Sequence, residues 1–260
     1  MRVLVTGGRT GYLGRAVVAA ARAAGHEVTG VSSADADLRD ASAVSGLVAT
    51  HRPHVVIHTA YVQADWAVTA TGAAHVAGAC AIGGARLVLV SSDVVFSGAD
   101  GLYDETAPPD PITPYGAAKA AAETVTAALV GDSVVARTSL IVGDGDSQHE
   151  RLVHGLLRGA GGALFDDEMR CPVHVEDLAA ALVEVGTSDY RGILHVAGAE
   201  AMSRLDLGRL IARRDGLDAS RLRGVSREAA GVPGPIDVRL DSTRAAGVLA
   251  TRLRGASEFL

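Results

Sequence analysis

The sequence predicts an α/β chain built on a doubly wound parallel sheet, and two observations carry that prediction. Short apolar runs bounded by turn residues alternate with longer stretches of helical period, the pattern of strands that feed crossover helices. After about residue 138 the rhythm changes, which marks a smaller lobe standing over the sheet.

The strand runs are, in order, Val3 to Val5, Val28 to Val31, Val55 to Ile57, Leu87 to Val90 and Val134 to Ala136. Each is short and aliphatic, as strands covered on both faces are. Ala-rich helices are expected near 12–24, 41–51, 69–82 and 114–130, each long enough for a right-handed crossover. Gly and Asp then cluster at 143–146 and 159–167, and PVHVEDLA opens a further helix. Residues 1–140 are assigned to the sheet domain, and 141–260 mainly to the lobe, with some segments returning to the sheet. A ligand belongs between the lobe and the carboxyl ends of the strands.

Composition narrows the function classes. With 48% hydrophobic and 21% charged residues, the chain can bury a sizeable core, which excludes disorder as its main state. A formal charge of −6 with three Phe and one Trp gives no basic stripe with stacking aromatics, so nucleic acid is not an expected partner. No apolar run approaches the roughly 18 to 20 residues of a membrane span, and MRVLVTGG enters a strand without signal-peptide character, so a cytoplasmic location is expected. Cys80 and Cys171 lack CxxC spacing and read as ordinary buried thiols, neither disulfide nor zinc ligands.

VLVTGGRTGYLGRAVVAAA sets Gly7, Gly8, Gly11 and Gly14 between the first strand and the first helix. There a tight turn and close backbone approach to a pyrophosphate exclude side chains, and the helix N-terminus faces the phosphates. This position gives a Rossmann-type dinucleotide crevice. Gly8, Arg9, Gly11, Tyr12 and Leu13 are the candidate cofactor contacts of the loop, with Ser32 at the end of the second strand. No carboxylate immediately follows Val31, and Arg9 could pair with a 2′-phosphate. NADP(H) is therefore favoured, while Asp35, close by in sequence, keeps NAD(H) open.

Lys119 is the only lysine among 24 basic residues, and it falls four residues after Tyr115. A compact ammonium with three donors can touch a ribose diol and sit beside a phenol, which a planar guanidinium does less well. Thr113 and Pro114 read as N-cap and first helical residue, placing Tyr115 and Lys119 one turn apart on one face. Lowering the phenol from about 10 to about 7, for which roughly 4 kcal/mol is needed, would make it a good proton donor to a carbonyl.

The glycine loop, SSDVVFSG at 91–98, YGAAK at 115–119 and RCPVHVEDLA at 170–179 together resemble an extended short-chain dehydrogenase/reductase, in its dTDP-4-dehydrorhamnose reductase-like subgroup. The likeness runs from RVLVTGG through GILHVAG at 192–198 to VRLD at 238–241. It implies Ser92 as the hydroxyl that polarises a substrate carbonyl, Tyr115 as proton donor and Lys119 as the group that holds the ribose and tunes the phenol. It further implies Asp37 and Leu38 beside the adenine, Thr59, Ala60 and Tyr61 under the cofactor, and Asp93, Val94 and Arg170 near the substrate. Three positions depart from the pattern: Thr69 stands where the family carries Asn, Val94 where it carries Tyr, and Gly234 where Arg precedes Pro235.

His51, His54 and His58 lack interleaved carboxylates or thiols, so no metal site is expected. Asp166, Asp167 and Glu168 read as a solvated acidic face, and Trp66 as either pocket lining or core. The expected function is NAD(P)H-dependent reduction of a small-molecule ketone, with a nucleotide-linked 4-keto-deoxysugar favoured by the resemblance. Another metabolite ketone, favoured by Val94 and Gly234, and a non-catalytic nucleotide-binding regulator are the alternatives, and a homodimer is left open.

Overall fold

The computed structural model describes residues 1–260. Six parallel strands form the central sheet: β1 (Arg2–Thr6), β2 (Glu27–Val31), β3 (Val55–His58), β4 (Arg86–Ser92), β5 (Ser133–Thr138) and β6 (Gly192–His195). Their order is β6-β5-β4-β3-β1-β2. The chain therefore reverses its winding between β1 and β3, and the crevice opens at that point, over the carboxyl ends.

The crossover helices are α1 (Tyr12–Ala23), α2 (Ala41–His51), α3 (Gly72–Gly83) and α4 (Pro114–Leu129). Beyond them lie α5 (Gln148–Leu157), α6 (Val175–Gly186) and α7 (Arg204–Arg214). Alternate strand residues serve opposite faces, as the period of two requires. Val3, Val5, Ile57 and Val88 pack under α1 and α6, whereas Leu4, Val56 and Leu87 pack under α2 and α3. Asp40 caps α2 by accepting from the amides of Ser42 at 2.8 Å and Ala43 at 3.1 Å. Thr113 caps α4 by accepting from the Gly116 amide at 3.0 Å, with Pro114 at the first helical position, as the sequence suggested.

Helix α3 begins later than its sequence pattern indicates, because a π-helical turn over Ala67–Thr71 precedes it. Thr69 occupies that turn, and its hydroxyl donates to the Val62 carbonyl at 2.8 Å and accepts from the Val62 amide at 3.1 Å. It is a backbone clamp on the segment leaving β3 and does not line the cleft described below. Trp66 beside it is 52% exposed and belongs neither to the core nor to the cleft wall.

Over the sheet edge, α5 and α7 close a separate core of Val153, Leu157, Leu164, Leu205, Ile211 and Leu222. Helix α6 packs on the sheet instead, and β6 extends it, so both lie after residue 141 yet belong to the sheet layer. Of the acidic run at 166–168, which the sequence suggested as a solvated face, Asp166 is exposed but Asp167 and Glu168 are engaged within the fold. Glu168 is buried among Arg170, Arg204 and Arg227, and Asp167 accepts from the Ser226 hydroxyl and the Arg227 and Glu228 amides.

Candidate active site

Close packing explains the glycines of the first loop. Gly7 has φ +72°, and a Cβ there would lie 2.9 Å from Thr59 Oγ1. At Gly14 a Cβ would meet the Gly7 carbonyl at 2.2 Å, so α1 could not start against the loop. Gly8 differs from its expected role: it is buried against the Gly30 Cα of β2, at 2.8 Å from an added Cβ, and does not face the cleft. The loop forms one wall of a cleft of about 720 Å³ that reaches from the end of β2 to α4. Gly11, Tyr12 and Leu13 line it. The Tyr12 phenol, raised mainly by burial, donates to Asp144 at 2.8 Å and so ties the loop to the lobe.

Ser32, Asp37 and Leu38 line the β2 end of the cleft. Arg39 joins them and grips Asp37, whose carboxyl its guanidinium holds down at about 2. Arg9 is not a wall residue. Its guanidinium sits 2.9 Å from Asp35, which also accepts from the Ser32 amide at 2.8 Å and hydroxyl at 3.0 Å. The two groups that the sequence offered as alternative cofactor selectors are thus bound to each other.

Thr59, Ala60 and Tyr61, just past β3, line the middle of the cleft, and Ser92, Tyr115 and Lys119 meet at its far end. Lys119 is buried, donates to the Val90 carbonyl at 3.0 Å, and lies 5.0 Å from the Tyr61 ring centre and 5.9 Å from that of Tyr115. Burial lowers the ammonium to about 8, and the charge of Glu123 opposes the fall. Burial likewise pushes the Tyr115 phenol well above 10, with Tyr61 and Asp93 adding to the rise and the Ser92 hydroxyl opposing it. The expected poise near 7 is therefore not built into the pocket walls, which keep the phenol protonated.

Asp93 borders the cleft, but its carboxylate is engaged inward, accepting from Ser139 Oγ at 2.6 Å and from Ser92 Oγ at 3.2 Å. Val94 does not line the cleft. Nor does Arg170, contrary to expectation: it is 2% exposed, donates to the Pro235 carbonyl at 2.7 Å and the Ile236 carbonyl at 3.0 Å, and lies 3.5 Å from Asp93. A guanidinium buried this deeply must be satisfied within the fold, and this one is. At Gly234, with φ +141°, the Arg227 guanidinium fills the space, 2.3 Å from where a Cβ would stand.

The lobe wall is made instead by His149, Arg151 and Arg204, which sequence reasoning missed. Arg204 approaches His149 Nδ1 at 3.1 Å, and burial followed by that guanidinium lowers the imidazole to about 3, keeping it neutral. Their signal was indirect: Ser147-Gln-His-Glu150 is a capping box that starts α5 and so projects His149 from its first turn. Of the three histidines set aside as metal ligands, His54 and His58 serve the backbone and β1, His54 Nδ1 accepting from the Arg2 amide at 2.8 Å and His58 pairing with Thr6 Oγ1 at 2.6 Å, while His51 ends α2.

A glycine-loop crevice at the switch point of a parallel sheet, ending at a serine, a tyrosine and a buried lysine, defines an NAD(P)-dependent oxidoreductase of the extended short-chain dehydrogenase/reductase class. Within that class, the chain belongs to the RmlD substrate binding domain family, whose model matches residues 1–255. It is 33% identical over 279 residues to a dTDP-4-dehydrorhamnose reductase of Mycolicibacterium smegmatis, covering 100% of this chain and 84% of the relative. It is 28% identical to methionine adenosyltransferase 2 subunit beta of Xenopus laevis, covering 94% and 81%. A crystal structure of dTDP-4-dehydrorhamnose reductase from Bacillus anthracis in complex with NADP matches with a TM-score of 0.87 at 25% identity, covering 99% of this chain and 96% of that one.

Proposed function

We propose that this protein reduces the keto group of a nucleotide-linked 4-keto-deoxysugar, using NADP(H) by preference and NAD(H) as an alternative. The observation that carries the proposal is the convergence of Ser92, Tyr115 and Lys119 at one end of a dinucleotide-sized cleft. The names of its reductase relatives support the substrate class.

The residues present fit a dinucleotide: Gly7 and Gly14 leave the loop backbone bare, and Ser32, Asp37 and Leu38 suit the adenosine end. When bound, the reduced nicotinamide supplies the hydride. Tyr115, kept protonated by burial, donates the proton to the carbonyl oxygen, and the Ser92 hydroxyl stabilises the negative charge that develops there. Lys119 adds positive charge and free donors beside the phenol. Arg204, Arg151 and neutral His149 on the lobe wall supply donors for a diphosphate. In this reading residues 1–140 mainly hold cofactor and 141–260 mainly hold substrate, with α6 and β6 serving the sheet. No helix is long and apolar enough to cross a membrane, and a cytoplasmic site of action is part of the proposal.

The test is NADPH oxidation against a panel of dTDP-linked 4-keto-deoxysugars and nucleotide-free ketones. Turnover confined to the nucleotide-linked compounds is expected; turnover confined to free ketones would remove the sugar-nucleotide assignment. The similarity to a protein named as an enzyme's subunit favours a second reading, a nucleotide-binding regulator. That reading predicts tight NADP(H) binding with no turnover on any ketone.

Cofactor choice yields a separate expectation. Arg9→Gln should weaken NADPH binding about tenfold, the loss of roughly 1.5 kcal/mol for a charge-assisted bond, and leave NADH within about twofold. Asp35→Asn, which frees Arg9 from its 2.9 Å partner, should tighten NADPH. Fluorescence titration of both nucleotides measures this, and an unchanged ratio in both variants would transfer the role to Arg39.

A further inference from the structure

Beneath the site, α4 and β4 meet in a repeating register. Lys119 donates to the Val90 carbonyl, and Ser91 Oγ donates to Glu123. Ser92, next along β4, bears on Tyr115. Glu123 follows Lys119 by one helical turn, so the two side chains lie on one face. It is buried, and it accepts three bonds from Arg137, at 3.1 and 3.2 Å from Nε and 2.8 Å from Nη2. Arg137 has no exposed surface, lies over the Phe96 ring at 4.9 Å and reaches the Ala107 carbonyl at 3.4 Å.

A buried ion pair of this kind is a weak device for stability, since well-packed apolar residues of similar volume often serve as well or better. Its setting suggests another use. Lys119 has three N–H donors and a single carbonyl partner, and burial opposes its charge. The titratable groups around it are His58 at the end of β3, the rings of Tyr61 and Tyr115, and Glu123 on its own helix, with Arg137 of β5 behind the carboxylate. His58 is neutral, lowered to about 3 by burial and then by Lys119 itself. Glu123 is the carboxylate whose charge acts on the ammonium.

We infer that Glu123, fixed by Ser91 and Arg137, is a positioning residue that keeps the Lys119 ammonium charged and docked on β4. The inference rests on Lys119 being the active-site ammonium of the proposed reductase. Its consequence is an opposed pair of effects: removing the carboxylate leaves Arg137 to repel Lys119, whereas removing the guanidinium leaves the carboxylate unshared.

Because the chain has one lysine, ¹³C-labelling of lysine at the ε carbon gives a single NMR resonance that reads this group directly in the full-length protein. The wild-type midpoint is expected near about 8. Glu123→Gln should move it down by about one pH unit and Arg137→Met should move it up. Should the single variants fail to fold, the electroneutral pair Glu123→Gln/Arg137→Met should still show a smaller downward shift. Unchanged midpoints, shifts of both single variants in the same direction, or unfolding of all three would overturn the inference and leave the cluster a packing element. The titration needs no substrate. Shifted midpoints without ketone turnover would count against the functional proposal alone, and unchanged midpoints with full turnover against this inference alone.

Discussion

Tyr115→Phe is expected to lower kcat by about 10²- to 10⁴-fold, the range for a lost general acid, while leaving the Kd for NADPH within about twofold. The ring packs against Tyr61 at 5.5 Å between centroids, and phenylalanine preserves that contact, so the variant removes a proton and little else. Ser92→Ala should cost less, about 10²- to 10³-fold, as the loss of one oxyanion donor does. Single-turnover NADPH oxidation separates these effects from binding. Retention of more than a tenth of wild-type kcat in Tyr115→Phe would move the donor elsewhere, with the Tyr61 hydroxyl the first candidate. The pH profile follows from the neighbours. The phenol stays protonated well above 10, whereas Lys119 loses its charge near about 8. The ammonium is present below that value and absent above it, so kcat should fall as pH rises through about 8, and the fall is assigned to Lys119 if it moves with the NMR midpoint in the Glu123 and Arg137 variants.

The parts of this site that were legible in the sequence are those fixed by local spacing. Tyr115 and Lys119 had to share a helix face because Thr113 as cap and Pro114 as first helical residue set the helix start immediately before Tyr115, and the glycine loop had to follow β1 because only there does its bareness serve a turn. Arg170 misled because sequence spacing cannot tell which arginine of a lobe turns inward. The Pro235 and Ile236 carbonyls, some 65 residues away in the chain, claim its guanidinium and leave Arg204 to face the cleft. The ion pair between Arg9 and Asp35 was hidden for the same reason: both groups were visible as rivals, but their contact depends on how β1 and β2 align. The π turn at Ala67–Thr71 carries Thr69, whose side chain bonds back to Val62 in the loop before it, a contact that an Ala-rich pattern does not reveal.

Gly116→Ala tests whether the site is held together at one backbone contact. Gly116 lies in the first turn of α4, next to Tyr115, and an added Cβ would stand 2.1 Å from the Val94 carbonyl oxygen, 3.0 Å from Pro111 Cβ and 3.1 Å from Thr113 Oγ1. The first of these is backbone, in the tight turn Asp93–Val95 that directly follows Ser92, so it cannot step aside as a flexible side-chain end would. The helix start must instead lift away from that turn and take Tyr115 with it. A displacement of about 1 Å between reacting groups can cost about 10²-fold in rate, and overpacking costs typically 1–3 kcal/mol of stability. Gly116→Ala is therefore expected to fold with a lowered Tm and to lose about two orders of magnitude in kcat, with NADPH affinity much less affected. Gly78→Ala is the control: it sits within α3 with no atom within 4 Å of an added Cβ, and alanine should stabilise that helix by about 0.5–1 kcal/mol with kcat unchanged. If Gly116→Ala lowers Tm but keeps wild-type kcat, the approach of α4 to the turn after β4 serves folding alone, and the spacing of Ser92 and Tyr115 is set elsewhere, with the Lys119 contact to the Val90 carbonyl the next anchor to break.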